Sequence, residues 1–185
     1  TVMFSLSSAD IIKTKPVFVI GQDSQSIEDF FSSLKESNIP EIYYPDGIMV
    51  YTSINSISGL DEPSYNGAGV NYADDLLKKY PDIKVVQIGL YMKDMLDEVI
   101  NGSFDANIDK LGIWIKNSNR DVYLRIGYEC DSIENDYNPE KYINAYRHIS
   151  NRLKNKEVTN VHFVWHIIAW NSNSKNPYNP MIYYP

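Results

Sequence analysis

Short apolar runs alternate along this chain with longer stretches in which apolar positions recur every three or four residues. The first run, residues 16–21, is rich in β-branched residues and ends in glycine, which predicts a short buried strand. Residues 24–38 follow with Ile27, Phe30, Phe31 and Leu34 at helical spacing, and Ser26 with Asp29 resembles a capping box. A second strand is predicted over 47–52. A polar, glycine-containing loop over 53–69 then leads to a helix over 70–79, stopped by Pro81. The third strand is expected over 83–90, followed by helical stretches at 93–100 and 105–116. A fourth strand spans 121–128, and a loop runs on to Asn138. Pro139 opens a helix that carries Tyr142, Ile143, Tyr146, Ile149 and Leu153 on one face. The fifth strand is expected over 161–168.

A strand–helix rhythm of this kind means parallel strands joined by right-handed crossovers. Two architectures compete. An open doubly wound sheet would show a glycine-rich phosphate turn after its first strand, and Gly21-Gln22-Asp23-Ser24 is not one. A closed (β/α)8 TIM barrel needs roughly 250 residues. The 185 residues here, read as a single unit, suffice for the first five βα units of such a barrel. An incomplete barrel would be completed by further chain or by a second polypeptide, because open strand edges and interior residues such as Tyr51 and Tyr123 need cover.

Chemistry concentrates on the fourth strand. Strand alternation puts Val122, Leu124, Ile126 and Tyr128 on one side, a suitable helix-facing set. Tyr123, Arg125, Gly127 and Glu129 fall on the other. A charged pair near the carboxyl end of a barrel strand is where barrels carry out chemistry, although a structural Arg125–Glu129 ion pair would use the same residues. Parallel strands would bring Gln22 and Asp23 from the first strand to the same rim. Tyr91 from the third and Trp165, His166 and Trp170 from the fifth would join them. Hydrogen-bonding groups interleaved with aromatic rings suit a neutral sugar.

Composition narrows the classes. Asp and Glu number 24 against 17 Lys and Arg, a formal charge of −7, which disfavours nucleic acid and anionic membrane as partners. No run reaches the roughly 18 apolar residues of a membrane span. One cysteine, Cys130, excludes an internal disulfide or a multi-cysteine metal site, and three histidines leave little for a histidine-rich metal centre. No metal and no cofactor is expected. Aromatic residues make up 13% of the chain, which suits stacking on sugar rings as well as a large core. The G-x-S-x-G elbow, the P-loop and H-E-x-x-H are all missing. Cys130 neighbours Glu129 and points to the opposite face, which makes it a poor nucleophile. Carboxylate chemistry remains, and glycoside hydrolysis is one of its forms. Residues 1–15 show no secretory leader, while Asn101-Gly102-Ser103 has the form of a glycosylation acceptor, and an extracellular setting is expected.

The runs Leu124–Asp131, Asn138–Tyr142, Ala145–Ile149 and Phe163–Trp165, together with Asn160-Val161, resemble family 26 glycoside hydrolases. The resemblance is clearest from about residue 121 to 185; Gly21-Gln22-Asp23 and Gly67-Ala68-Gly69 resemble related barrels more loosely. It implies a TIM barrel that hydrolyses a β-linked polysaccharide, mannan-like or another β-glycan, by a retaining mechanism. Glu129 would be the general acid/base, and Gln22, Asp23, Tyr91, Arg125, Trp165, His166 and Trp170 would line the sugar site. The family has a histidine directly before this glutamate, where Tyr128 stands here, so the resemblance points to a distant branch with its substrate open. The resemblance also implies a glutamate nucleophile at the end of strand seven, beyond this chain. Glu134 and Asp136, in the loop after strand four, are not assigned to that role. A rival reading from another class is a non-catalytic carbohydrate-binding barrel in which Arg125 and Glu129 form a structural ion pair.

Overall fold

The computed structural model describes residues 16–168 and 179–185; Trp170 lies outside them. The main sheet holds five parallel strands: β1 (Val19–Ile20), β2 (Gly47–Ser53), β5 (Val85–Tyr91), β6 (Asp121–Ile126) and β7 (Val161–Val164). A small antiparallel pair, β3 (Ser64–Asn66) and β4 (Gly69–Asn71), stands apart from it. The helices are α1 (Ser24–Glu36), α2 (Ala73–Lys79), α3 (Leu96–Ile100), α4 (Asp105–Ser118) and α5 (Pro139–Asn155). No helix among the described residues is long and apolar enough to cross a membrane.

The order across the sheet is β1-β2-β5-β6-β7, the order of the chain itself. A doubly wound sheet reverses direction at a switch point. Here there is no reversal, so right-handed crossovers deliver every helix to one face. Alternation along each strand then separates the two faces cleanly. Ile48, Val50, Val86, Ile88, Leu90, Val122, Leu124 and Ile126 are all fully buried and form one core with Ile27, Leu76, Ile108, Leu111, Ile115, Ile149 and Leu153. The other face carries no helix among the described residues. Its rows follow the register: Met49, Gln87, Tyr123 and His162 lie side by side, and Tyr51, Gly89, Arg125 and Val164 form the next row toward the carboxyl ends. Tyr123 and His162 stack there, with centroids 4.8 Å apart, and both are solvent-exposed.

Local chemistry explains the element ends. α1 is capped by Asp23, whose carboxylate accepts from the Ser26 backbone N–H at 3.0 Å and from its hydroxyl at 2.7 Å. The capping pair is therefore Asp23–Ser26, one turn earlier than the expected Ser26–Asp29 box. α5 begins at Pro139 behind the Asn138 cap, whose side chain accepts from the Lys141 N–H. α4 and α5 are joined by Arg152, which forks onto Asp109 at 2.8 and 2.9 Å while also reaching Asp105. Lys156 on Asp109 and His148 on Asp105 extend the network.

Three expectations need correction. The expected loop over 53–69 contains the β3–β4 hairpin, which turns through Gly67-Ala68 with Gly67 at φ +60°, as the first position of a type II′ turn requires. The edge strands are shorter than their apolar runs: β1 pairs over two residues and β7 over four. The fourth predicted strand stops at Ile126, two residues early, because Gly127 takes φ +57°.

Candidate active site

The stop at Gly127 shapes everything above it. A β-carbon there would lie 2.6 Å from Met92 Cε and 2.9 Å from Tyr142 Cε2, so both the space and the backbone angle demand glycine. The turn swings Tyr128 onto the helix-free face, where strand alternation had placed it on the other. Its ring meets Tyr51 edge-on at 5.1 Å and lies 6.4 Å from Tyr91, the last residue of β5. Burial raises the Tyr128 phenol to a pKa of about 12, so it stays protonated at neutral pH.

Arg125 lies beneath these rings. Its guanidinium carbon is 5.4 Å from the Tyr51 centroid and 5.5 Å from that of Tyr128, within reach of both π faces. Nη2 approaches Met49 Sδ at 3.1 Å, while the buried Nε finds no hydrogen-bond partner. Arg125 is only 7% exposed, yet it forms no ion pair with any carboxylate among the described residues. That includes Glu129, so the structural Arg125–Glu129 pair does not form. The two positive-φ residues, Gly127 and Glu129, bend the chain out of line with the strand before the glutamate is reached.

Glu129 sits half-buried on this turn with φ +52°. Its peptide is held on both sides. The N–H donates to His166 Nδ1 at 2.9 Å, and the carbonyl accepts from Asn135 Nδ2 at 3.0 Å and the Ser132 N–H at 2.9 Å. Asn135 also bonds the Tyr128 carbonyl at 2.9 Å. Cys130 N–H donates to the His166 carbonyl, and Asp131 Oδ1 accepts from the Ile168 N–H. No hydrogen bond or ion pair among the described residues engages the Glu129 carboxylate, which leaves it unpaired at the carboxyl end of β6. Cys130 points away into the core as expected, where burial pushes its thiol up to a pKa of about 11 and suppresses the thiolate.

The remaining predicted residues divide. Gln22 joins the site, its Oε1 accepting from Tyr51 OH at 3.3 Å. Asp23 spends its carboxylate on the α1 cap, and the Ser26 bonds hold its pKa below the usual range. Its β-carbon also lies against Gly69, beside the turn of the hairpin. Tyr91 belongs to the tyrosine group. Trp165 packs with the core and edge-on against Tyr184 at 5.2 Å. His166 lies under Glu129 as a hydrogen-bond acceptor. Burial and then the Arg125 charge lower its pKa, Asp131 opposing, so the imidazole is neutral at neutral pH. Trp170 lies outside the described residues.

Sequence reasoning missed two contributors. Tyr51 shares its side of β2 with Met49 and Ser53, the open face opposite Val50. Its ring is trapped between two glycines, Gly67 of the hairpin and Gly89 of β5, and a β-carbon added at either would come within 2.5 Å of it. The hairpin is the other, and Asn71 ties it down by accepting the Tyr51 N–H at 2.9 Å. Asn66-Gly67 was a legible turn signal. A surface depression of about 500 Å³ lies elsewhere, beside Phe31, Tyr44 and Tyr80.

No protein-family profile matches the chain. It is similar to a β-1,3-xylanase, TXYA, from a Vibrio species, at 30% identity over 152 residues, which is 82% of this chain and 31% of that protein. A β-1,3-xylanase from an Alcaligenes species is 28% identical over 152 residues, with the same two shares. The chain thus spans about a third of the length of the curated relatives it matches.

Proposed function

We propose that this chain forms the acid/base half of a retaining glycoside hydrolase that acts on a β-linked polysaccharide, with Glu129 as the general acid/base. The observation that carries the reading is the Glu129 carboxylate, unpaired among the described residues and held on a hydrogen-bonded turn at the carboxyl end of a parallel strand, next in the chain to Tyr128, whose ring packs with Tyr51 and Tyr91. The two relatives are named for β-1,3-xylan hydrolysis, which makes β-1,3-xylan the first substrate to test and mannan the second. The monotonic strand order and the helix-free face support a sheet that continues into a family 26-like (β/α)8 barrel closed by further strands. Such strands would bury the Tyr123–His162 row and the edge of β7. An extracellular setting follows from the substrate, since a polysaccharide is too large to reach an enzyme inside a cell.

In this mechanism Glu129 donates its proton to the glycosidic oxygen as the bond to the anomeric carbon breaks. A second carboxylate, about 5 to 5.5 Å away, forms the glycosyl ester. Glu129, now ionised, takes a proton from water, whose oxygen attacks the anomeric carbon and releases the second carboxylate. The cation of Arg125 has no carboxylate partner among the described residues, and a buried unpaired charge is costly. It is the natural anchor for that second carboxylate, through charge-assisted hydrogen bonds. Tyr51, Tyr91 and Tyr128 offer apolar faces and hydroxyls to the sugar, with Gln22 behind them. The chemistry requires two carboxylates and water.

Glu129→Gln in the full-length protein tests the assignment. Turnover of β-1,3-xylan should fall by about 10²- to 10⁴-fold with KM little changed, since general acid catalysis is lost while the sugar contacts stay. Turnover within a few fold of the parent would contradict it.

A further inference from the structure

We propose that His166 is a positioning residue for Glu129: its imidazole, protonated at Nε2 only, accepts the Glu129 peptide N–H through Nδ1 and fixes the turn that carries the carboxylate. The inference rests on the acid/base reading of Glu129 and gives His166 a task other than contact with sugar.

Geometry sets the tautomer. A backbone N–H can only donate, so the Nδ1 that receives it at 2.9 Å must present a lone pair. The ring proton then sits on Nε2, and a doubly protonated ring would set two N–H groups against each other. The bond also stands where strand pairing has ended. The β6–β7 ladder closes at Arg125 and Val164, yet the two chains stay joined beyond it. Three bonds do this: Glu129 N–H to His166 Nδ1, Cys130 N–H to the His166 carbonyl at 3.1 Å, and Ile168 N–H to Asp131 Oδ1 at 2.9 Å. Two of the three belong to His166. Glu129 occupies the left-handed region at φ +52°, which a non-glycine residue keeps only when its surroundings hold it.

The groups around the ring favour its neutral state. Arg125 faces it from β6, while Glu129, Cys130 and Asp131 face it from the turn. Burial and the Arg125 cation disfavour the imidazolium, and Asp131 works the other way. The bond therefore persists at neutral pH and is lost as pH falls through the lowered histidine pKa. Protonation would release the turn and misplace the acid.

The test uses the full-length protein with ¹⁵N-labelled histidine. The His166 resonances, identified by their loss in His166→Asn, should show an unprotonated Nδ1 and a protonated Nε2 at pH 7. Kinetics give the second arm. His166→Leu removes the acceptor and should lower kcat on β-1,3-xylan by about tenfold with KM little changed. His166→Asn, whose Oδ1 can replace Nδ1, should recover most of that loss and move the acid limb of the kcat profile to lower pH. A protonated Nδ1 at pH 7 would overturn the proposal. So would equal losses in the two variants, or a change confined to KM, which would mark a sugar contact. If the parent protein hydrolyses no β-glycan, the acid/base reading falls, and the nitrogen resonances still decide the hydrogen bond on their own.

Discussion

Gly127 decides where the glutamate points. Two residues of regular strand would have carried Glu129 along the line of Arg125 and made a simple buried ion pair. A glycine at φ +57° ends the strand instead, turns Tyr128 onto the tyrosine face and separates the two charges. Gly127→Ala should destabilise the folded protein by about 2–3 kcal/mol, from the positive φ and from the crowding against the ring of Tyr142. That ring cannot withdraw easily, because its hydroxyl donates to the Ile126 carbonyl at 2.9 Å. Urea denaturation of parent and variant would measure the difference, and a loss below about 0.5 kcal/mol would contradict this account of the turn. Alternation alone identified Arg125 and Glu129 as the charged residues of the strand. It could not show the turn, since a glycine near a strand end reads equally well as strand.

At the scale of elements, legibility followed burial. β2, β5 and the core faces of α1 and α5 stand close to their predicted limits, because apolar side chains at period two or near three and a half have only one way to reach the core. The edges were harder. β1 and β7 are bounded by how far a neighbouring strand can pair with them, and hydrophobicity does not report that. The β3–β4 hairpin offered a turn signal but no strand pattern, because its outward residues, Tyr65 and Val70, are exposed and its inward ones, Ser64, Asn66 and Asn71, are polar. The α1 cap was misread by one turn. Asp23→Ala should cost about 1 kcal/mol of stability at neutral pH. The sign of its pH dependence follows from the lowered folded pKa of Asp23. The stabilisation is fully present above the ordinary carboxylate pKa and disappears as pH falls through the lower folded value. Denaturation curves of the two proteins should therefore converge in strong acid, and a gap that stays constant with pH would contradict the cap.

The described residues set Glu129 on one rim of a parallel sheet, with the helices on one face and Tyr51, Tyr91, Tyr123 and Tyr128 on the other. Fold class was legible in the strand–helix rhythm, and the five-stranded parallel sheet agrees with it. The candidate site was legible in part. Arg125, Tyr91 and Gln22 gather around Tyr51 and Tyr128, and Glu129 is next in the chain, whereas Trp165 packs against the core and Asp23 caps a helix. Strand-end position shows that a residue is near the rim, and the local backbone decides which way it faces. The most direct measurement of the central claim is azide rescue of Glu129→Gln in the full-length protein, with an aryl β-xyloside that carries a good leaving group. Such a substrate needs little proton donation to form the glycosyl ester. Azide needs no base to attack the anomeric carbon and free the second carboxylate. The account predicts that added azide raises turnover and that the product is the β-xylosyl azide. Turnover unaffected by azide, or an azide product of inverted α configuration, would contradict it.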